Sequence, residues 1–304
     1  MASFIKFDNI GKKVNNKNLL ANLSFGIQKN EVLSILGNPG SGRSTLFKIL
    51  MGIVDRDKGN IFVNGMNYDL RKDNIRSMIG YLPQENIFDK DLNILENLYF
   101  YGELRGMNLS LVKKEIFRWA DAFGFKDFLY LIPNEIPFEY LRKISIARAL
   151  LNNPEILLLD NPTSGMNFLD RNMIWEVINE LKINKSILCI TQNFEETQFY
   201  SDRVVIINNG SVAINSSISN INNAVDNIYR YQFVFKTIVP HDFLKLIKTD
   251  SNVKNIVSRD KYFEFSTNKK AVFFKIFQTA LNYKLVDLKF TYSKLNEIYL
   301  KVTE

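Results

Sequence analysis

The segment "GNPGSGRST", residues 37–45, constrains the fold of this chain more than any other stretch. It follows the apolar run "EVLSILG" and precedes a helical pattern that begins at Arg43. The spacing matches the phosphate-binding pattern G-x-x-x-x-G-K-[ST], except that arginine stands at the lysine position. Glycines in such a loop let backbone N–H groups surround phosphate oxygens at the positive end of a helix. The alternative is a glycine-rich turn between a strand and a helix that binds no ligand.

Composition limits the class of protein. A chain of 304 residues with 46% hydrophobic residues can form one large domain and a small one. The longest apolar runs, such as "KAVFFKIF", are too short to cross a bilayer, and no signal-peptide pattern precedes the first strand-like segment. The single cysteine fits a reducing compartment. The net charge of +7 is spread along the chain and indicates a solvated surface, with attraction to anionic lipid or nucleic acid as the alternative.

The order of apolar patterns predicts an α/β fold with two domains. Through residues 1–215 short strands alternate with helices, as in a mainly parallel sheet covered by helices, and antiparallel edge strands are expected near the N-terminus. Residues 85–150 are expected to contain an inserted helical subdomain. Residues 216–227, rich in Asn and Ser, predict a linker. Residues 228–304 show the order strand, helix, strand, helix, which predicts a small α+β accessory domain.

Three later segments show a resemblance to a known family. "YLPQ", "ISIARALLNNPEILLLDNPTSG" and "CITQNFEETQFYSDRVVIINNG" occur in this order in the ATP-binding subunits of ABC transporters. The resemblance covers about the first 215 residues and implies a P-loop NTPase core that binds ATP and Mg²⁺. The end of the chain, "SKLNEIYLKV", is similar to the C-terminal extension of ATPases that serve ABC-2 type exporters.

The resemblance implies a nucleotide site built from the glycine loop and two later residues. Gln84 in "YLPQ" matches the Q-loop glutamine, which contacts Mg²⁺ and senses the membrane partner, and Asp160 matches the Walker B aspartate. With the hydroxyl of Ser44, these two residues form the expected set of oxygen ligands for Mg²⁺. The expected nucleotide-binding residues are Gly37, Asn38, Pro39, Gly40, Ser41, Gly42, Arg43, Ser44, Thr45, Gln84 and Asp160.

Several departures from the family pattern fall on the residues that carry hydrolysis. Asn161 stands at the position of the catalytic glutamate, and an amide cannot accept a proton from water. Gln192 stands at the position of the switch histidine. Arg43 keeps the charge of the P-loop lysine but replaces a compact ammonium with a planar fork. Val14 stands at the position of an adenine-stacking aromatic and offers no ring.

The segment "IPFEY", residues 136–140, stands where the family has L-S-G-G-Q, which contacts the γ-phosphate held by the opposite subunit. Pro137 offers neither a hydroxyl nor an N–H group, and Phe138 adds bulk. Glu139 brings a negative charge toward a negative phosphate. In the D-loop, Asn167 replaces the usual aspartate. We therefore expect no competent catalytic residues in this chain.

Together the resemblance and its departures predict a degenerate ABC subunit that does not hydrolyse ATP and acts as a scaffold or regulator in a membrane export complex. The expected partners are a transmembrane permease, met by the helical segment 91–106, and a second ABC ATPase. A heterodimer is favoured over a homodimer, no nucleic acid is expected, and the location is the cytoplasmic face of the cell membrane. Two alternatives stay open: a slow but genuine ATPase that energises an ABC-2 type exporter, and a soluble ABC protein that acts on nucleic acid or ribosomes.

Overall fold

The structure, a computed structural model, describes residues 3–224, 229–248, 250–267, 269–291 and 294–303. The chain divides into two compact units, of which the first ends at Ile218 and the second begins at Ser219. Residues 216–224 of the predicted linker are the end of a strand and a short helix, and residues 225–227 lie outside the described residues. No helix among the described residues is both long enough and apolar enough to span a membrane.

The first unit combines two sheets with helices. Its strands are β1 (Ile5–Val14), β2 (Lys17–Ile27), β3 (Val32–Gly37), β4 (Lys58–Val63), β5 (Met66–Asn67), β6 (Ile79–Leu82), β7 (Ile156–Asp160), β8 (Ser186–Ile190), β9 (Arg203–Asn208) and β10 (Ser211–Ser217). Its helices are α1 (Arg43–Leu50), α2 (Lys72–Ser77), α3 (Ile94–Leu104), α4 (Leu109–Phe123), α5 (Phe138–Leu150), α6 (Phe168–Leu181) and α7 (Phe194–Tyr200), followed by α8 (Ile218–Ala224) at the boundary between the units.

The central sheet has the strand order β10-β9-β3-β8-β7-β6. All neighbours pair in parallel except β10, which is antiparallel to β9. Every residue of β3, β7 and β8 is buried, as expected for parallel strands that are covered on both faces. Because parallel strands end at the same edge, the loops that follow β3, β7 and β8 meet there. This edge carries the glycine loop, Asn161 and Gln192.

A second, antiparallel sheet of order β2-β1-β4-β5 contains the N-terminal strands. Buried side chains of this sheet share one hydrophobic cluster with α1 and one face of the central sheet. A second cluster lies on the other face and includes side chains of α3, α4, α5 and α6. A mixed α/β fold with a mainly parallel sheet and antiparallel edge strands was predicted from the sequence, and the structure confirms it.

Two polar caps define the inserted helices. Asn93 begins α3 with a capping box, in which its side chain accepts from the N–H of Glu96 and the Glu96 side chain accepts from the N–H of Asn93. Asn108 begins α4, and Gly124 ends it with φ 68°. Gly102 lets α3 and α4 approach closely, because a Cβ at this position would lie 2.6 Å from a methyl group of Val112.

The second unit is a four-stranded antiparallel sheet with helices. Its elements are β11 (Tyr229–Phe235), α9 (His241–Lys248), β12 (Lys254–Arg259), β13 (Tyr262–Thr267), α10 (Lys270–Leu281), β14 (Leu285–Thr291) and α11 (Lys294–Thr303). The strand order β12-β13-β11-β14 is that of a split βαβ arrangement. The predicted order strand, helix, strand, helix was incomplete, since it lacked β12, β14 and α11. β12 has no buried residue and so gives little apolar signal.

Candidate functional site

A cavity of about 370 Å³ lies at the carboxyl edge of the central sheet. Four parts of the chain line it: the glycine loop, the Q-loop position, the start of β2, and the residues at or just after the ends of β7 and β8. The lining residues are Leu19, Pro39, Gly40, Ser41, Gly42, Arg43, Ser44, Thr45, Gln84, Asn161, Ile190 and Gln192. The structure therefore brings together most residues predicted for the site.

The remaining predicted residues lie beside this cavity or away from it. Gly37 ends β3, and the backbone oxygen of Asn38 accepts a hydrogen bond from the N–H of Ser41 at 3.0 Å. Asp160 ends β7 and its side chain hydrogen-bonds with Ser44, a lining residue. Val14, placed by the resemblance at the adenine position, is at the end of β1 and does not line the cavity, whereas Leu19 does.

The glycine loop has the geometry of an anion site. Gly40 and Gly42 have φ values of 81° and 89°, in the left-handed region that favours glycine. A Cβ at Gly42 would lie 2.5 Å from a methyl carbon of Leu20, so that only glycine fits there. Helix α1 has no acidic residue in its first turn and no side-chain cap, which leaves its first N–H groups for an anion. The Ser41 hydroxyl is buried without a hydrogen-bond partner among the described residues. These features fit the phosphate groups of a nucleotide.

The side chain of Arg43 is buried at the carboxyl edge of the central sheet. It is only 7% exposed, and its Nη1 donates a hydrogen bond to the backbone oxygen of Thr191 at 3.2 Å. Thr191 directly follows β8, whose last residue, Ile190, is in register with Asp160 of β7. The guanidinium therefore ties the start of α1 to the end of β8, close to the buried carboxylate of Asp160.

Asp160 is a buried carboxylate whose charge is compensated within the chain. Burial raises its pKa, while a hydrogen bond from Ser44 and the positive charges of Arg43 and Arg142 act in the opposite direction. The side-chain amide of Asn161 also donates to Asp160 Oδ1 at 3.2 Å. The oxygen donors of Ser44, Gln84 and Asp160 suit Mg²⁺ in chemistry. However, the Asn161 amide already donates to Asp160 Oδ1, and the fixed charge of Arg43 acts on the same carboxylate, so both substituted residues oppose a divalent cation here.

Asn161 has a backbone conformation that few residue types adopt. Its φ is 50°, in the left-handed region, and its N–H donates to the backbone oxygen of Ile190 at 2.8 Å. Asparagine tolerates this region better than glutamate, because its short polar side chain can hydrogen-bond locally. Gln192, at the switch position, is exposed to the cavity, and Asn193 caps the following helix α7.

Arg142, on α5, is a site residue that was not predicted from the sequence. Its side chain is 1% exposed, and burial lowers its pKa to about 10. The guanidinium donates to the backbone oxygens of Pro83 (2.7 Å), Gln84 (3.1 Å), Asp160 (2.6 Å), Asn161 (2.9 Å) and Pro162 (3.2 Å) and to Asn86 Oδ1 (3.3 Å). Arg142 thus fixes the loop after β6 against the loop after β7. The sequence offered little signal for it, because α5 contains three other charged residues, Glu139, Lys143 and Arg148.

Glu196, on α7, is the second such residue. The Thr163 hydroxyl lies 2.8 Å from both of its carboxylate oxygens, and the Arg171 Nε lies 3.4 Å from one of them. Burial raises the pKa of Glu196, and the hydrogen bond from Thr163 and the positive charge of Arg171 oppose this rise. Glu196 therefore connects the loop after β7 to the helix that follows Gln192.

Replacing Glu196 with Gln is expected to flatten the pH dependence of the free energy of unfolding. A folded pKa above the reference value of 4.5 gives stability that is fully present below pH 4.5 and is lost as the pH rises through the folded pKa. Glutamine does not titrate, so the variant should lose less stability as the pH rises through the folded pKa of Glu196. Urea unfolding at a series of pH values, followed by tryptophan fluorescence, measures it. Glu195→Gln, on the exposed neighbour, is the matched control, and equal slopes for Glu196→Gln and the unmodified chain would contradict the prediction.

The segment "IPFEY" forms the start of α5. Pro137 is the N-cap residue and provides no side-chain hydrogen bond, while Glu139 places a carboxylate in the first turn. This charge interacts favourably with the positive helix end that an anion would otherwise use. The ring of Phe138 packs against the loop after β7, since a Cβ at Gly165 would lie 2.8 Å from it. Asn167 caps α6 by accepting from the N–H of Asp170.

Comparisons with known proteins find relatives of this chain. The sequence profile of the family described as "ABC transporter" matches residues 20–164. The uncharacterized ABC transporter ATP-binding protein MJ1023 of Methanocaldococcus jannaschii is 30% identical over 218 residues, covering 71% of this chain and 79% of that protein. ABC transporter A family member 11 of Dictyostelium discoideum is 26% identical over 293 residues. The match covers 91% of this chain, which spans only 34% of the length of that relative.

Solved structures show the same fold. An ATP-binding subunit of an ABC transporter superposes with a TM-score of 0.68 at 22% identity, covering 73% of this chain and 93% of that one. The dimeric ATP-binding cassette MJ0796, bound to ADP and Pi, has a TM-score of 0.65 at 24% identity, covering 70% and 98%. Fold and glycine loop define a P-loop NTPase. The family match over residues 20–164 and the 30% identity to the Methanocaldococcus jannaschii protein show that the chain belongs to the ABC transporter ATP-binding family.

Proposed function

We propose that this chain is an ABC ATP-binding subunit that binds nucleotide, does not hydrolyse it, and acts as a scaffold or regulator in a membrane export complex. The observation that carries the proposal is the chemistry of the cavity wall. Among the described residues that line the cavity, none has a carboxylate or an imidazole side chain. Hydrolysis needs a group that accepts a proton from the attacking water, and such a base contributes about 10²–10⁴ in rate.

The carboxylate of Asp160, at the end of β7, does not serve as this base. Asp160 is not among the lining residues, and its carboxylate accepts hydrogen bonds from the Ser44 hydroxyl and the Asn161 amide. Asn161 itself turns its NH₂ group toward Asp160, so it acts as a donor rather than an acceptor. Gln192 is likewise an amide that does not titrate. Each position that would handle a proton therefore carries a group that cannot do so.

The surface of α3 supports a membrane partner. Phe100 and Leu104 lie four residues apart, which places them on one side of the helix, and they are 56% and 70% exposed. Exposed apolar pairs of this kind are typical of contacts with another protein. We infer that this face of the segment 91–106 contacts the cytoplasmic helices of a transmembrane permease, which would hold the chain at the cytoplasmic face of the membrane.

The start of α5 supports pairing with a second, different ABC ATPase. In a homodimer, each nucleotide site would combine the Asn161 cavity of one copy with the acidic first turn of α5, containing Glu139, of the other copy. Neither site could then hydrolyse ATP. A competent partner would bring its own phosphate loop and its own base. We infer a heterodimer, in which this chain contributes structure and regulation and the partner carries any hydrolysis.

Isolation of the tagged chain from membranes in mild detergent tests the complex. We expect an ABC-type transmembrane permease and a second ABC ATPase to co-purify with it. The double variant Phe100→Asp/Leu104→Asp is expected to lose the permease, because charges cannot be buried unpaired at an apolar contact. Leu70→Asp, at an exposed apolar residue outside the helical segment, is the control and should keep it. Purification of the unmodified chain without a permease would overturn the proposed function.

A further inference from the structure

The carboxylate of Asp160 is compensated by three groups from different parts of the chain. Asp160 is 1% exposed, and a buried carboxylate is costly unless its charge is balanced and its oxygens are hydrogen-bonded. Ser44 at the start of α1 hydrogen-bonds it, and Asn161 Nδ2 donates to Oδ1 at 3.2 Å. The guanidinium charge of Arg43 acts on it as well, with smaller effects from Arg142 and Lys48.

Arg43 is fixed in a position where it supplies this charge permanently. Its Nη1 bonds the backbone oxygen of Thr191 at 3.2 Å, and the side chain is 93% removed from solvent, as its exposed fraction of 7% shows. The residue before Thr191 is in register with Asp160. A guanidinium does not lose its proton in proteins, so the charge cannot be switched off.

A divalent cation bound at Asp160 would compete with Arg43 and Asn161, two residues that depart from the family pattern. It would compete with the Asn161 amide, which already donates to Asp160 Oδ1 at 3.2 Å. It would also lie close to a fixed positive charge, and two cations repel most strongly where water is excluded. Among the residues that the structure describes, no group of three or more acidic, histidine or cysteine side chains offers another metal site.

We propose that Arg43 and Asn161 together replace the divalent cation, so that the chain binds nucleoside di- or triphosphates as free anions, independently of Mg²⁺. The phosphates would contact the N–H groups of the first turn of α1 and the hydroxyl of Ser41, which is buried without a hydrogen-bond partner among the described residues. This inference rests on the proposed nucleotide binding and concerns only its dependence on metal.

Calorimetric titration of the full chain with ATP, once with excess Mg²⁺ and once with EDTA, tests the inference. We expect the two dissociation constants to differ by less than about threefold. Arg43→Lys, which restores a compact ammonium, is expected to bind at least about tenfold more tightly with Mg²⁺ than with EDTA. Arg118→Lys makes the same exchange at an exposed position on α4 and should behave like the unmodified chain.

The outcomes separate this inference from the proposed function. Binding by the unmodified chain that weakens tenfold or more in EDTA, without hydrolysis, would overturn metal independence and leave the non-hydrolysing subunit intact. Absence of binding in both conditions would overturn the inference and remove nucleotide from the proposed function. Magnesium-dependent hydrolysis would overturn both. Because the comparison within the unmodified chain decides the inference by itself, poor folding of Arg43→Lys would not leave it untested.

Discussion

ATP hydrolysis by the purified chain is expected to stay at the uncatalysed background, and Asn161→Glu alone is expected not to restore it. Loss of a positioned general base typically costs about 10²–10⁴ in rate. The glutamate would have to adopt the left-handed conformation that Asn161 has, with φ 50°. This costs an ordinary L-residue about 1–2 kcal/mol, so the new side chain would either strain the loop or shift it.

A carboxylate at position 161 would also lose the hydrogen bond that the Asn161 amide donates to Asp160. Two carboxylates would then face each other in a buried setting, where like charges disfavour ionisation. Gln192 and Arg43 would remain unchanged, and residues that act as a unit are not independent in their effects on rate. We therefore expect the triple variant Arg43→Lys/Asn161→Glu/Gln192→His to increase the rate of ATP hydrolysis more than the three single changes do when their effects are added.

Phosphate release measured over hours, with and without membranes that contain the co-purified partner, checks this prediction. Asp160→Ala is the control for contaminating ATPases, since any activity that it retains does not come from this site. Turnover above background that disappears in Asp160→Ala would mean that the chain is a slow but genuine ATPase. In that case the base would be a group other than the side chains that line the cavity.

The fold and most of the cavity could be predicted from the sequence, because both depend on local patterns. Strands β3, β7 and β8 are short and apolar apart from their ends and Ser34, and each is followed directly by a loop that carries site residues. Because these strands are parallel neighbours in one sheet, their carboxyl ends lie at the same edge. The glycine loop, Asn161 and Gln192 are therefore brought together by topology alone.

The supporting contacts could not be predicted, because their partners have no distinctive side chain. Arg142 donates mainly to backbone oxygens, which every residue has, in loops about 20 and 60 positions away. Arg43 likewise finds the backbone oxygen of Thr191, and this contact depends on the register of β7 and β8. In the second unit, β12 was missed for a different reason, since an exposed edge strand has no apolar side to reveal it.

Arg142→Ala is expected to destabilise the first unit by at least about 3 kcal/mol. The change removes a buried guanidinium and leaves the backbone oxygens of Gln84, Asp160 and Asn161 without this donor. Each buried polar group that loses its partner costs about 1–3 kcal/mol, and the cavity left by the side chain adds to the loss. Arg142→Lys keeps the charge, but an ammonium has three donors and no planar fork. It should therefore recover only part of the stability.

Urea unfolding followed by tryptophan fluorescence measures this effect in the first unit alone, because both tryptophans, Trp119 and Trp175, belong to its core. Arg76→Ala is the matched control: its guanidinium is partly exposed and pairs with Asp73, and such surface pairs contribute about 0.2–1 kcal/mol. A loss below about 1 kcal/mol in Arg142→Ala would mean that water replaces the guanidinium at the carbonyl groups. The loops after β6 and β7 would then be held by their own backbone, and the position of Asn161 beside Asp160 would not depend on α5.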